Sequence, residues 1–104
     1  MRFILLCFLT LASYASWAGP VNITSLGVSP KGQYVAIEEY GYNPGLRTYY
    51  SRIRLLNLWK NTEAAPMVEV EHTARSPEDL LRAREEARSK ATASMEKLNI
   101  VSSG

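Results

Sequence analysis

Ser25-Leu26-Gly27-Val28-Ser29-Pro30-Lys31-Gly32-Gln33-Tyr34-Val35-Ala36-Ile37-Glu38-Glu39-Tyr40-Gly41 carries two strand-like runs hinged on a single well-specified turn. Pro30 has its φ fixed by the ring at an early turn position, and Gly32 supplies the positive φ that closes the turn. The run from Gln33 to Tyr40 is rich in β-branched and aromatic residues and ends at Gly41. Together these features specify a β-hairpin.

Upstream, Met1 to Ala18 holds one basic residue, Arg2, then the apolar run Phe3 to Leu9, then small residues ending Ser16-Trp17-Ala18. That is the pattern of a secretory signal peptide over residues 1–18, cleaved before Gly19. The uninterrupted apolar core falls short of the roughly 20 residues that a bilayer requires, so no membrane span is expected after cleavage. Cys7 lies inside the apolar run behind Leu5-Leu6, not behind the small residues that precede a lipid-attachment cysteine. The predicted mature chain, residues 19–104, therefore has no thiol for a disulfide, and its expected location is periplasmic or secreted. The whole chain has 12 Lys and Arg against 10 Asp and Glu, a net charge of +2, and Arg2 leaves with the signal. The near balance predicts no electrostatic bias toward nucleic acid or an anionic membrane. A chain of this size without disulfides buries a modest fraction of its surface, so it is expected to lean on a partner or to belong to a longer product.

Downstream of the lead-in, Ile23 to Ser29 reads as a first strand. Asn22-Ile23-Thr24 matches the glycosylation acceptor pattern, a motif too short to carry weight. Alternation from Gln33 to Tyr40 puts Val35, Ile37 and Glu39 on one face and Tyr34, Ala36, Glu38 and Tyr40 on the other. Both faces carry apolar groups, so both are expected to be covered. Asn43-Pro44-Gly45 marks a loop over residues 41–48, and Tyr49 to Trp59 is a third strand. Pairing like with like places Ile37 opposite Ile53, Val35 opposite Leu55 and Glu38 opposite Arg52. A turn from Lys60 to Pro66 leads to a fourth strand, Met67 to His72, with Val70 opposite Leu55 and Glu71 opposite Arg54. The predicted sheet has an oily side and an Arg/Glu-laddered side.

Composition changes at Ser76-Pro77-Glu78-Asp79, a helix start in which Ser76 caps, Pro77 suits the first turn and Asp79 reaches back. Leu80, Ala83, Ala87, Ala91, Met95 and Leu98 form one apolar stripe whose middle is only alanine, so the helix must lie close to what it covers. Asn99 tolerates the left-handed conformation that ends helices, and Ile100 is placed to fold back on Met95 or Ala91. Residues 101–104 read as a flexible tail. The predicted fold is α+β: a small antiparallel β-meander of three or four strands over residues 19–75, with a blade-like hairpin, packed against one C-terminal amphipathic helix over residues 76–100.

Ser29-Pro30-Lys31-Gly32-Gln33-Tyr34-Val35-Ala36-Ile37 resembles the hairpin that recurs in TolB-like β-propeller blades, with Lys31 where that hairpin carries Asp. A closer resemblance covers nearly the whole chain. The signal segment, Glu38-Glu39-Tyr40-Gly41, the strand Ile53 to Leu58 and an Ala/Arg-rich helix closing on Lys97-Leu98-Asn99-Ile100 are similar to predicted secreted bacterial proteins of domain of unknown function 2259. That resemblance implies an address and a fold, and it implies no chemistry. Its relatives continue through further β-rich sequence, which makes a truncated N-terminal part of a longer propeller-like secreted protein the alternative reading.

Glu38 and Glu39 are the obvious carboxylate pair for acid/base work, but neighbouring strand residues point to opposite faces and cannot share a substrate. They are read as structural, and an enzyme using either ranks last. His72 is the sole histidine, which makes a zinc site improbable, and no cofactor is expected. No nucleophile elbow or Gly-rich phosphate loop is present. Tyr40, Tyr42, Tyr49 and Tyr50 flank the 41–48 loop with Arg47 between them, and these are the residue types favoured at recognition surfaces. The expected function is a non-enzymatic binding or structural module, its candidate binding residues this tyrosine set and its partner another envelope protein. Pro30, Gly32, Glu38, Arg52, Arg54, Glu71 and Ser76 are the candidate structural residues.

Overall fold

The computed structural model describes residues 21–102. The predicted signal segment with Cys7, and the last two residues of the predicted tail, lie outside the described residues. Among the described residues, six strands and one helix follow in the order β1 (Asn22–Val28), β2 (Tyr34–Asn43), β3 (Thr48–Asn57), β4 (Thr62–Glu63), β5 (Val68–Thr73), α1 (Glu78–Lys97) and β6 (Val101–Ser102). The sheet is antiparallel in the order β4-β3-β2-β1-β6, with β5 also pairing β3. This is the α+β fold expected, a sheet packed against one C-terminal helix, with β4 and β6 added as two-residue strands.

The first hairpin closes as its sequence dictates. Gly32 takes φ 72°, and its N–H donates to the Ser29 carbonyl at 2.9 Å. Buried Ser29 also ties the strand ends together: its N–H donates to the Tyr34 carbonyl at 2.9 Å, and its Oγ accepts the Tyr34 N–H at 3.0 Å.

The second hairpin corrects the expected loop and register. Only residues 44–47 turn, because the Asn43 Oδ1 accepts the N–H groups of Gly45 at 3.0 Å and Leu46 at 3.3 Å while Arg47 adopts φ 54°. Tyr42 then faces Tyr49, Glu38 faces Ile53, Ala36 faces Leu55 and Glu39 faces Arg52. The expected pairs Ile37–Ile53, Val35–Leu55 and Glu38–Arg52 are all displaced by one residue, which turns every β2 side chain to the other face. A four-residue turn fixes one register, whereas an eight-residue loop would have left it free.

The next pairing is displaced for a different reason. β4 occupies the end of β3 at Leu56 and Asn57, so β5 slides toward the other end and Val70 faces Ser51. Glu71 therefore faces Tyr50, and Arg54 faces Ile37. The expected Arg54–Glu71 pair does not form.

On one face of the sheet Ala36, Ile53, Leu55 and Val70 meet Ala83, Ala87 and Ala91, the three alanines fully buried. The helix begins differently from its expected cap: Pro77 is the N-cap residue and no side chain caps it. Asp79 does reach back, its carboxylate accepting the N–H groups of Arg75 and Ser76 at 3.0 Å each. Those two backbone bonds hold the Asp79 carboxyl below its ordinary pKa. At the other end Asn99 takes φ 57° and the Ile100 N–H donates to the Met95 carbonyl at 2.9 Å, burying Ile100 in the core. Val101 and Ser102 then pair with Val28 and Gly27, a correction to the predicted flexible tail. A Cβ on Gly27 would stand 2.0 Å from the Val101 carbonyl oxygen, so this approach requires glycine.

Candidate functional site

The shift of β2 by one residue sends Glu38 beneath the helix, where its side chain is 0% exposed. Ser51 on β3 donates to its Oε2 at 2.9 Å. Arg84 forks across the carboxylate, Nε to Oε2 and a terminal nitrogen to Oε1, both at 3.0 Å. Arg88, one turn further along α1, adds a bond to Oε1 at 3.1 Å. Each carboxylate oxygen thus accepts two bonds, which is how a buried charge is tolerated. Burial pushes the Glu38 carboxyl up, but the bonds from Arg84, Ser51 and Arg88 and the charge of Arg84 outweigh it, leaving the pKa below its ordinary value. The Arg84 guanidinium also lies 3.7 Å from the centroid of the Tyr40 ring, a cation–π contact.

Glu39 turns to the opposite face, where it meets a terminal nitrogen of Arg52 at 3.4 Å. The Nε of Arg52 bonds Glu69, and its guanidinium lies 4.8 Å from the Tyr50 ring centroid. The two neighbouring carboxylates therefore serve separate clusters on separate faces of the sheet. Glu38 works as a fastener between sheet and helix. Arg84 and Arg88 were missed from the sequence, although two arginines four residues apart on the flank of an alanine stripe are a readable sign that a counter-charge lies beneath.

The five predicted binding residues divide three ways. Tyr40 is held under Arg84, and Tyr50 is buried beneath Arg52 on the other face. Tyr42 and Tyr49 meet edge to face at the end of the second hairpin, centroids 5.6 Å apart and planes at 62°. Tyr42 is 45% exposed, and Leu46 at the tip is 63% exposed beside exposed Arg47. Comparison with known proteins adds nothing to this geometry. The chain matches no family model, no curated protein and no solved structure.

The hairpin end is fixed in place as well as exposed. Asn43 bonds the turn from within, and the Ala74 N–H donates to the Arg47 carbonyl at 3.0 Å, tying the tip to the segment that leads into α1. Leu46 was missed from the sequence, where an apolar residue in a Pro-Gly-Leu-Arg turn, with no strand face to bury it, was the available signal.

His72 sits on β5 with its Nε2 3.2 Å from Glu86 Oε1, while Lys90 Nζ approaches Glu86 Oε2 at 3.3 Å. The hydrogen bond and charge of Lys90 hold the Glu86 carboxyl below its ordinary value. Among the described residues no group of three or more His, Cys, Asp and Glu side chains could hold a metal ion. No helix among them is long and apolar enough to cross a membrane.

Proposed function

We propose that the protein is an exported, non-enzymatic binding module that engages another envelope protein through the end of the β2–β3 hairpin. The observation that carries this reading is the exposed set Tyr42, Leu46 and Arg47 on a turn whose backbone is bonded at both sides. A rigid turn loses little conformational freedom on binding, and a tyrosine, an apolar tip and an arginine are the residue types that carry interface energy. The commitment of Glu38 to four hydrogen bonds supports a structural assignment for it over acid/base chemistry. The signal-like residues 1–18 and the resemblance carried by Glu38-Glu39-Tyr40-Gly41 support the exported address.

Two measurements test this reading. Fractionation of the producing cell followed by N-terminal sequencing is expected to find the chain outside the cytoplasm, starting at Gly19; a cytoplasmic chain starting at Met1 overturns the address. A photo-crosslinking side chain placed at Leu46 is expected to give one discrete adduct that Arg47→Glu abolishes, with none from the same group at exposed Lys97. Adducts of equal yield from both positions overturn the assignment of the surface.

A further inference from the structure

A groove of about 570 Å³ runs along the opposite flank of α1, between the helix and β1–β6. It exists because α1 packs mainly on β3 and β5 and only lightly on β2, leaving β1 largely unroofed. Thr24 and Leu26 line its sheet side, Arg88, Thr92, Met95 and Glu96 its helix side, and Ile100 follows the helix end.

The charges are arranged along this groove rather than scattered in it. Glu38 carries one negative charge and holds two guanidiniums, so the cluster has one positive charge in excess. The accessible member is Arg88, whose side chain is 49% exposed while that of Arg84 is 22% exposed. Glu96 stands eight residues further along the same helix, which at 1.5 Å per residue is about 12 Å away. The groove thus has a cationic end and an anionic end. Between them Leu26, Met95 and Ile100 offer apolar surface, with the flexible thioether of Met95 able to adapt to different shapes.

A ligand matched to this arrangement has a negative and a positive end separated by roughly the 12 Å of helix rise between the two backbone positions, and an apolar middle. An extended chain of three to four residues, at about 3.3–3.6 Å each, spans roughly that distance between its termini. The groove volume falls within the usual range for small-ligand sites. We propose that the groove binds a short apolar peptide by both ends, its free carboxylate on Arg88 and its amino group on Glu96. This site is separate from the hairpin end and does not depend on the reading given for it.

Titration calorimetry of the full chain with trileucine, its C-terminal amide and its N-acetyl form tests the proposal. The amide is expected to bind about tenfold more weakly than the free peptide, and the acetylated form several-fold more weakly. Arg88→Gln is expected to make acid and amide equal, and Glu96→Gln to make free and acetylated amines equal. Arg84 and Ser51 still hold Glu38 in Arg88→Gln, and a thermal melt without peptide checks that fold. Thr92→Trp fills the groove from an exposed helix position, leaves the Arg88–Glu38 pair intact, and is expected to abolish binding. The proposal is overturned if trileucine does not bind at roughly millimolar concentration. It is equally overturned if capping either end has no effect, or if Thr92→Trp binds like the unchanged protein.

Discussion

At Glu38 one carboxylate determines how sheet and helix are joined. Replacing it by Gln leaves Arg84 and Arg88 facing a neutral group in a buried site. Because Arg84 and Arg88 keep partial access to water, Glu38→Gln is expected to lower the unfolding free energy by about 1–3 kcal/mol, read by urea denaturation. The triple replacement Glu38→Leu, Arg84→Met, Arg88→Met removes both signs together and is expected to cost less than Glu38→Leu alone. The pH dependence has a definite sign. The folded-state pKa of Glu38 lies below its unfolded value, so its contribution is complete above the unfolded pKa of about 4.3 and is lost as pH falls through the folded pKa. Stability measured from neutral pH downward is expected to fall below about pH 4, with a shallower fall in Glu38→Gln. Some slope remains in that variant because Asp79 and Glu86 are also held below their ordinary values. At this scale the sequence is only partly legible: like-with-like pairing places Arg52 opposite Glu38, and the structure instead gives it Arg84 and Arg88. The choice between Arg52 and Arg84 depends on which face β2 turns to the helix, and alternation alone assigns two faces without saying which is covered.

Among the elements, the most legible were those written in local stereochemistry. The turn at Pro30–Gly32, the alanine stripe of α1 and its stop at Asn99 all follow from φ preferences and periodicity, and each is found where those preferences place it. What could not be read was set by contacts between distant segments. β6 forms because Ile100 is drawn into the core and carries Val101 and Ser102 alongside β1, and nothing in Val-Ser-Ser-Gly announces a strand. Gly27→Ala tests that pairing. Its methyl meets the Val101 carbonyl, so the variant is expected to lose about 1–3 kcal/mol and the hydrogen-exchange protection of β6, while the β2–β3 amides stay protected. A second test concerns the closeness of α1 to the sheet. Ala87 is fully buried, so Ala87→Leu is expected to wedge the helix off and cost about 1–3 kcal/mol, whereas Ala93→Leu on the exposed side is expected to cost little.

For the whole molecule, sheet and helix share one core, and the Glu38 cluster crosses between them. They are expected to unfold in one step, with the far-ultraviolet helix signal and the near-ultraviolet tyrosine signal lost at the same denaturant concentration. Helix loss ahead of the tyrosine signal would mean that α1 is a separable lid. The sequence by itself determined the α+β class, the first hairpin and the helix, because glycine and proline geometry and the 2.0 and 3.6 repeats act within a few residues. Tertiary structure alone decided which face of β2 is inside and where β5 pairs. It also brought β6 onto β1, set Arg84 over the Tyr40 ring, buried Tyr50, and left Tyr42 and Leu46 in solvent. Those outcomes turn on a one-residue register. That register is set by how Asn43 closes a turn and by two arginines reaching back from more than forty residues away.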